Sequence, residues 1–215
     1  MTFSLLGHCR RTGEFGAVVT TSSPCVGARV PFLSAGLGGV LTQHRTDPRL
    51  GPRGLDLMRS GCSSTEAIAA LVASSPAHEW RQMAAIDAQG RTASFTGASN
   101  RPVVAEAHGD GCVAIGNILH QAGVVQAMID AFGGSDEKCL AQRLMAALEA
   151  GEAAGGEGRP LQSAALVVVA ADPFPWLDLR IDLSDSPLPD LRRLLETFLP
   201  SAGLYRTRAL TPELL

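Results

Sequence analysis

The sequence predicts an α+β fold in which two antiparallel sheets are stacked face to face and covered on their outer faces by helices. Three observations carry this. Apolar, β-branched segments come in neighbouring pairs joined by short turns, as in hairpins, and hairpins build antiparallel sheets. Segments with helical spacing also come in pairs, and each pair needs a sheet face on which to bury its apolar stripe. The order is strands, a helix pair, strands, a helix pair, strands and a final helix, which is met by two sheets between helical layers.

Phe3 to Cys9 and Phe15 to Thr21 are strand candidates joined by Arg10-Arg11-Thr12-Gly13-Glu14, where Gly13 suits a hairpin turn. Cys25 to Phe32 continues apolar and β-branched. Gly36, Gly38 and Gly39 then precede Val40-Leu41-Thr42-Gln43, and glycines this dense in a strand pattern point to bulges or close backbone approach. After Asp47-Pro48 the period changes: Leu50, Leu55, Leu57 and Met58 suit a short helix that stops at Gly61. Ser63-Ser64-Thr65-Glu66 reads as a capping box opening a helix through Ala73.

Met83 to Ile86 and Thr92 to Thr96 form a second hairpin around Asp87-Ala88-Gln89-Gly90, and Val103 to Ala107 with Cys112 to Asn117 a third. Val124, Val125, Met128, Ile129 and Phe132 recur at helical spacing, as do Leu140, Leu144, Met145 and Leu148. Gly151 to Gln162 is a Gly-rich, acidic loop leading into Ser163 to Ala170, an apolar strand of the kind buried on both faces. Trp176 to Leu183 alternates apolar and charged residues, as an edge or outer strand does. Pro189 to Leu199 is a last helix, and residues 200–215 read as an irregular tail.

A chain of 215 residues with 46% hydrophobic content can bury a substantial core and is of a size usually met by one domain. The formal net charge of -3 provides no field to hold nucleic acid or an anionic membrane, so a small-molecule or protein partner is expected. The apolar runs fall short of the ~20 residues that cross a bilayer, and the first residues lack the order of a signal peptide. A soluble, cytoplasmic protein is expected, with Cys9, Cys25, Cys62, Cys112 and Cys139 as free thiols. Apolar helices in such a sandwich often supply dimer faces, so a homo-oligomer is expected.

The chain opens Met1-Thr2-Phe3-Ser4. A small second residue suits removal of Met1, which would leave a free α-amine and a β-hydroxyl on Thr2. An α-amine titrates near neutral pH, where a general base works best, so Thr2 is the candidate nucleophile for attack on an amide.

Met1-Thr2-Phe3-Ser4, Val26-Gly27-Ala28-Arg29-Val30-Pro31-Phe32, Gly51-Pro52-Arg53-Gly54-Leu55, Asp87-Ala88-Gln89-Gly90, Phe95-Thr96-Gly97, Gly116-Asn117 and Gln162-Ser163-Ala164-Ala165-Leu166 after a Gly151 to Gly156 stretch occur in one order. Together they resemble a bacterial and archaeal family, domain of unknown function 1028, grouped with the N-terminal-nucleophile (Ntn) hydrolase fold. The resemblance runs from Thr2 to about Leu195. It implies a four-layer αββα sandwich and an amidohydrolase site at Thr2, and supplies no substrate. Ser22-Ser23-Pro24-Cys25 and His120-Gln121 depart from the expected pattern, and the tail after Leu199 lies outside it.

An acyl-transfer site needs donors aimed at the oxyanion. Asn117, which ends a strand where its side chain would project from the sheet edge, and Gln43, at the end of a Gly-interrupted strand, are the side-chain amide candidates; turn and hairpin-end roles compete. Thr96 stands at another strand end. In Gly155-Gly156-Glu157-Gly158-Arg159, backbone N–H groups can approach a ligand and Arg159 can clamp a carboxylate. Gln162 and Ser163 stand at the mouth of the buried strand. The Gly-rich stretch lacks a P-loop ending, and the five histidines show no metal spacing, so neither cofactor nor metal is expected.

The first reading is an Ntn-type amidohydrolase cleaving a small amide through Thr2. The alternative is a non-catalytic binding or assembly protein on a degenerate sandwich. A third is a thiol enzyme using Cys25, which follows Pro24 in a turn-like break.

Overall fold

The computed structural model describes residues 1–134 and 138–214. One sheet contains β1 (Thr2–Cys9), β2 (Glu14–Thr21), β7 (Val104–Gly109), β8 (Cys112–Asn117), β9 (Ser163–Val169) and β10 (Pro175–Ile181) in the order β10-β9-β2-β1-β8-β7. The other has the order β3-β4-β5-β6, from β3 (Pro31–Ser34), β4 (Gly38–His44), β5 (Arg81–Asp87) and β6 (Thr92–Thr96). Every strand pairing is antiparallel, as the hairpin pattern requires. β10 is indeed an edge, with Leu177 and Leu179 buried and Asp178 exposed between them.

Three apolar cores separate four layers. Leu6, Val19 and Ile115 of the first sheet meet Leu41 and Ile86 of the second. α1 (Leu50–Arg59) and α2 (Ser64–Ser74) press Leu50, Met58 and Leu71 against Val40 and Met83. α3 (Gly123–Gly133), α4 (Leu140–Ala153) and α5 (Pro187–Leu210) cover the first sheet, where Phe3 and Leu5 meet Phe132, Leu144 and Leu191. The result is an αββα sandwich of antiparallel sheets flanked by helices. Strand alternation then decides the site: Phe3 and Leu5 of β1 point to the helices, so Thr2, Ser4 and Leu6 point between the sheets.

Local predictions meet the structure closely at the start of α2, where the Ser63 hydroxyl accepts from the Glu66 amide at 3.3 Å and Glu66 Oε2 accepts from the Ser63 amide at 2.8 Å. The dense glycines mark close approach: a Cβ on Gly38 would lie 2.0 Å from the Ile86 carbonyl oxygen.

Three expectations need correction. Cys25 to Phe32 is not one extended segment: Cys25 takes a left-handed conformation (φ 58) and Val26–Ala28 forms a 3-10 turn before β3 begins. α4 runs to Ala153, so the acidic loop starts later than its glycines imply. Residues 200–210 are not an irregular tail, because α5 continues through Pro200 to Leu210 and a further 3-10 turn spans Pro212–Leu214; Leu215 lies outside the described residues. Pro200 removes a helix hydrogen bond, but contacts within α5 and to its neighbours carry the helix past it. Ala202 is buried, Tyr205 stacks on Phe198 at 5.3 Å, and Arg206 pairs with Asp172 at 2.6 Å. Among the described residues no helix is long and apolar enough to cross a membrane.

Candidate functional site

Strand register assembles a polar row at one end of the inter-sheet space. Thr21 of β2 pairs with Ser163 of β9, Phe3 pairs with Thr20 so that Thr2 stands opposite Thr21, and Thr2 pairs with Asn117 of β8. Ser163, Thr21, Thr2 and Asn117 thus cross four neighbouring strands in line, all buried. One row further in, the residues are Ala165, Val19, Ser4 and Ile115. In the second sheet Gln43 pairs with Gln82 and Gln82 with Thr96, so a second polar row faces the first.

The rows are joined through Gln82. Its Oε1 accepts from Gln43 Nε2 at 2.7 Å and from Asn117 Nδ2 at 3.1 Å, and its Nε2 donates to the Gly116 carbonyl at 2.8 Å and to Thr96 Oγ1 at 3.0 Å. Ser4 Oγ donates to Gln43 Oε1 at 2.7 Å, and the Thr96 hydroxyl donates to Glu106 Oε1. Gln43 and Asn117 are therefore brought beside Thr2, but their amides are already spent on Gln82. Gln43 Nε2 also lies 3.3 Å from the Ile115 carbonyl and 3.5 Å from that of Thr2. Asn117 does not project from a sheet edge; it is fully buried between the sheets, with Oδ1 lacking a hydrogen-bond partner.

At the head of β1 the carbonyl of Met1 accepts from the hydroxyls of both Thr2 and Thr21, whose oxygens are 3.3 Å apart. Beside it stands Glu157. The chain turns into this position through Gly155 (φ 117) and Gly156 (φ 50), conformations that glycine adopts without a Cβ penalty, and Glu157 bridges to Leu119. Its Oε2 accepts from the Ser22 amide at 3.1 Å, whereas its Oε1 is buried without a partner. Burial pushes the Glu157 carboxyl up to about 7, against the lowering effects of Ser22 and the Met1 amine. Burial lowers the Met1 amine; Glu157 opposes this, and the charges of Arg159, Arg29 and Arg101 reinforce it.

The other expected site residues divide by role. Ser163 Oγ donates to the Ser23 carbonyl at 2.6 Å and accepts from the Val26 amide at 3.1 Å, tying down the Ser22 to Cys25 turn. Arg29 donates to Ser23 Oγ in the same turn. Gln162 is exposed and holds its neighbours by backbone alone, its amide on the Thr21 carbonyl and its carbonyl on the Ser184 amide, both at 2.9 Å. Arg159 is exposed, two residues beyond Glu157. Cys25 is also exposed. Sequence reasoning passed over Thr21, Gln82 and Glu157. Thr21 looked like an ordinary strand end and Gln82 like a residue before a strand. Only the glycines flanking Glu157 on both sides signalled that its backbone is specially placed.

Among the described residues no cluster of His, Cys, Asp and Glu is arranged to hold a metal ion. None of the curated proteins matches the chain. A crystal structure of protein SPO2555 from Silicibacter pomeroyi, assigned to DUF1028, is similar with a TM-score of 0.86 and 34% identity, over 92% of this chain and 85% of that one. Anbu (ancestral beta-subunit) from Yersinia bercovieri superimposes with a TM-score of 0.41 and 11% identity, over 94% of this chain and 97% of that one. Residues 2–191 match the family described as "Family of unknown function (DUF1028)", and the chain belongs to that family.

Proposed function

We propose that the protein is an Ntn-type amidohydrolase whose nucleophile is the Thr2 hydroxyl after removal of Met1. The observation that carries this reading is the Met1 carbonyl held between the hydroxyls of Thr2 and Thr21 at the polar end of the inter-sheet space. A carbonyl oxygen held by two hydroxyls is the arrangement that an acyl-transfer site at Thr2 would need.

Once Met1 is gone, the Thr2 α-amine takes the hydroxyl proton as Oγ1 attacks a small amide. The oxyanion forms beside the Thr21 hydroxyl, the C–N bond breaks, and the leaving amine takes the proton from the α-ammonium. Water, deprotonated by the same amine, then hydrolyses the Thr2 ester. Removing one oxyanion donor typically costs about 3 to 4 kcal/mol of transition-state stabilisation, and Thr21 fits that role better than the occupied amides of Gln43 and Asn117. Those two, with Gln82 and Thr96, position β1, while Arg159 at the rim suits a substrate carboxylate. No metal or cofactor takes part in this scheme.

Intact-mass measurement should show a chain beginning at Thr2, gaining one adduct from a β-lactone probe. Thr2→Ala should abolish both the adduct and amide hydrolysis; full labelling and turnover in that variant would refute the assignment. A second reading, a non-catalytic binding protein, is favoured by one observation: Thr2 is only 7% exposed while Met1 covers it. It requires Met1 to remain in the purified protein.

A further inference from the structure

We propose that Met1 marks the subsite for the acyl residue of the substrate, and that the free Oε1 of Glu157 receives that residue's free α-amino group. The substrate class is then α-aminoacyl amides, including short peptides with an unblocked N-terminus. This rests on Thr2 being the nucleophile.

Covalent geometry makes Met1 a stand-in. Its acyl group is bonded to the Thr2 nitrogen, whereas an acyl-enzyme would be bonded to Thr2 Oγ1, and the two atoms sit on adjacent carbons of one residue. The carbonyl of an acyl-enzyme would therefore lie close to the present Met1 carbonyl, within reach of Thr21 Oγ1. What lies on the far side of that carbonyl is the α-amine of Met1, and the charge that most favours its protonated form is Glu157.

Glu157 is built as a receptor. It is only 8% exposed, and the Ser22 amide fixes one oxygen at 3.1 Å while the other has no donor. Burying a carboxylate oxygen unpaired is costly, and such groups call for an explanation. The Met1 amine lies near enough to feel the charge but makes no hydrogen bond to it, as expected of a tethered peptide rather than a freely seated ligand. Arg159, Arg29 and Arg101 act against a second positive charge here, so the group is recognised as an N–H donor in either protonation state. Met1 is only half-buried, which leaves its side chain loosely specified.

The test uses the chain beginning at residue 2 and two probes, L-methioninamide and its desamino analogue 4-(methylthio)butanamide. Calorimetric binding to the Thr2→Ala protein, which cannot turn over, should favour methioninamide by at least about tenfold. Adding Glu157→Gln should shrink that preference below about threefold while leaving the affinity for the desamino amide unchanged. Equal binding of the two probes, binding of neither, or a preference that survives Glu157→Gln overturns the proposal. Ammonia release by the Thr2 protein separates the two ideas. Preferential binding without release removes the nucleophile and keeps the subsite; release from both amides at equal rates does the reverse.

Discussion

Two buried carboxylates, Asp87 at the end of β5 in the second sheet and Glu157 beside the end of β2 in the first, show how a fold uses charge. Asp87, 3% exposed, closes the β5–β6 turn with every demand met: its Oδ1 accepts from the amides of Gln89 and Arg91, both at 3.1 Å, and its Oδ2 from the Ser64 amide at 3.0 Å and Arg91 Nε at 2.9 Å. Burial pushes its pKa up, but the amides of Ser64 and Arg91, with the Arg91 side chain and the Gln89 amide, outweigh it and leave it lowered. Glu157 has only Ser22, through its side chain and amide, and the charge of the Met1 amine to lower it, and burial prevails. A satisfied acid stitches structure together, here the β5–β6 turn to the start of α2. An unsatisfied one stores a preference for a partner that has yet to arrive.

The sharpest way to break this contrast is to remove each acid. Asp87→Ala leaves three backbone amides without their acceptor, and should cost about 3 to 4 kcal/mol, lowering the melting temperature by about 10 °C. Glu157→Gln should act in the opposite direction, and only at high pH. A raised carboxyl contributes stability that is complete below its ordinary value of 4.5 and is lost as pH rises through about 7. The Gln variant, a mimic of the protonated acid, should match the parent near pH 4.5 and exceed it by on the order of 3 kcal/mol at pH 8. Asp87, whose pKa is lowered, stabilises above the ordinary carboxylate range, and its contribution is lost as pH falls through its folded value. Urea unfolding across pH reads both slopes. A Glu157→Gln protein less stable than its parent at pH 8 would place Glu157 with Asp87 as a structural acid.

The Asp87 end was legible in the sequence and the Glu157 end was not, for a physical reason. Asp87-Ala88-Gln89-Gly90 and Ser63-Ser64-Thr65-Glu66 are local signals, in which a side chain satisfies backbone groups within a few residues, and spacing alone reveals them. β1 and its hairpin partner were legible for the same reason, and with them the place of Thr2 at a strand head. The candidate site is made by register between distant strands: Thr21 meets Ser163, Thr2 meets Asn117, and Gln82 gathers Gln43 and Asn117 from two sheets. No local pattern encodes those meetings. Gln43 and Asn117 lie beside Thr2 with their amides engaged by Gln82, an acceptor far away in sequence that no local pattern reveals. The end of α5 differs, since Pro200 is a true local stop that Asp172 overrides from outside the helix by pairing with Arg206.

The smallest effect tests whether the Asp87 end is one cooperative unit. Ser63→Ala removes the hydroxyl that caps the Glu66 amide, a loss of about 1 kcal/mol when a helix start stands alone. The adjacent Ser64 amide, however, is held by Asp87, which fixes the same first turn from the neighbouring sheet. With Asp87 in place, the Ser63 side chain caps a turn already pinned, so the substitution should cost its usual amount. In Asp87→Ala the first turn loses both anchors once Ser63 is also changed, and it can fray into water, where its amides find new partners. The double variant should then lose less than the sum of the single losses, by roughly 0.5 kcal/mol or more, a gap that a double-mutant cycle resolves. Strict additivity would mean that α2 and the β5–β6 turn are stabilised independently, and that Asp87 satisfies its own turn without organising the helix.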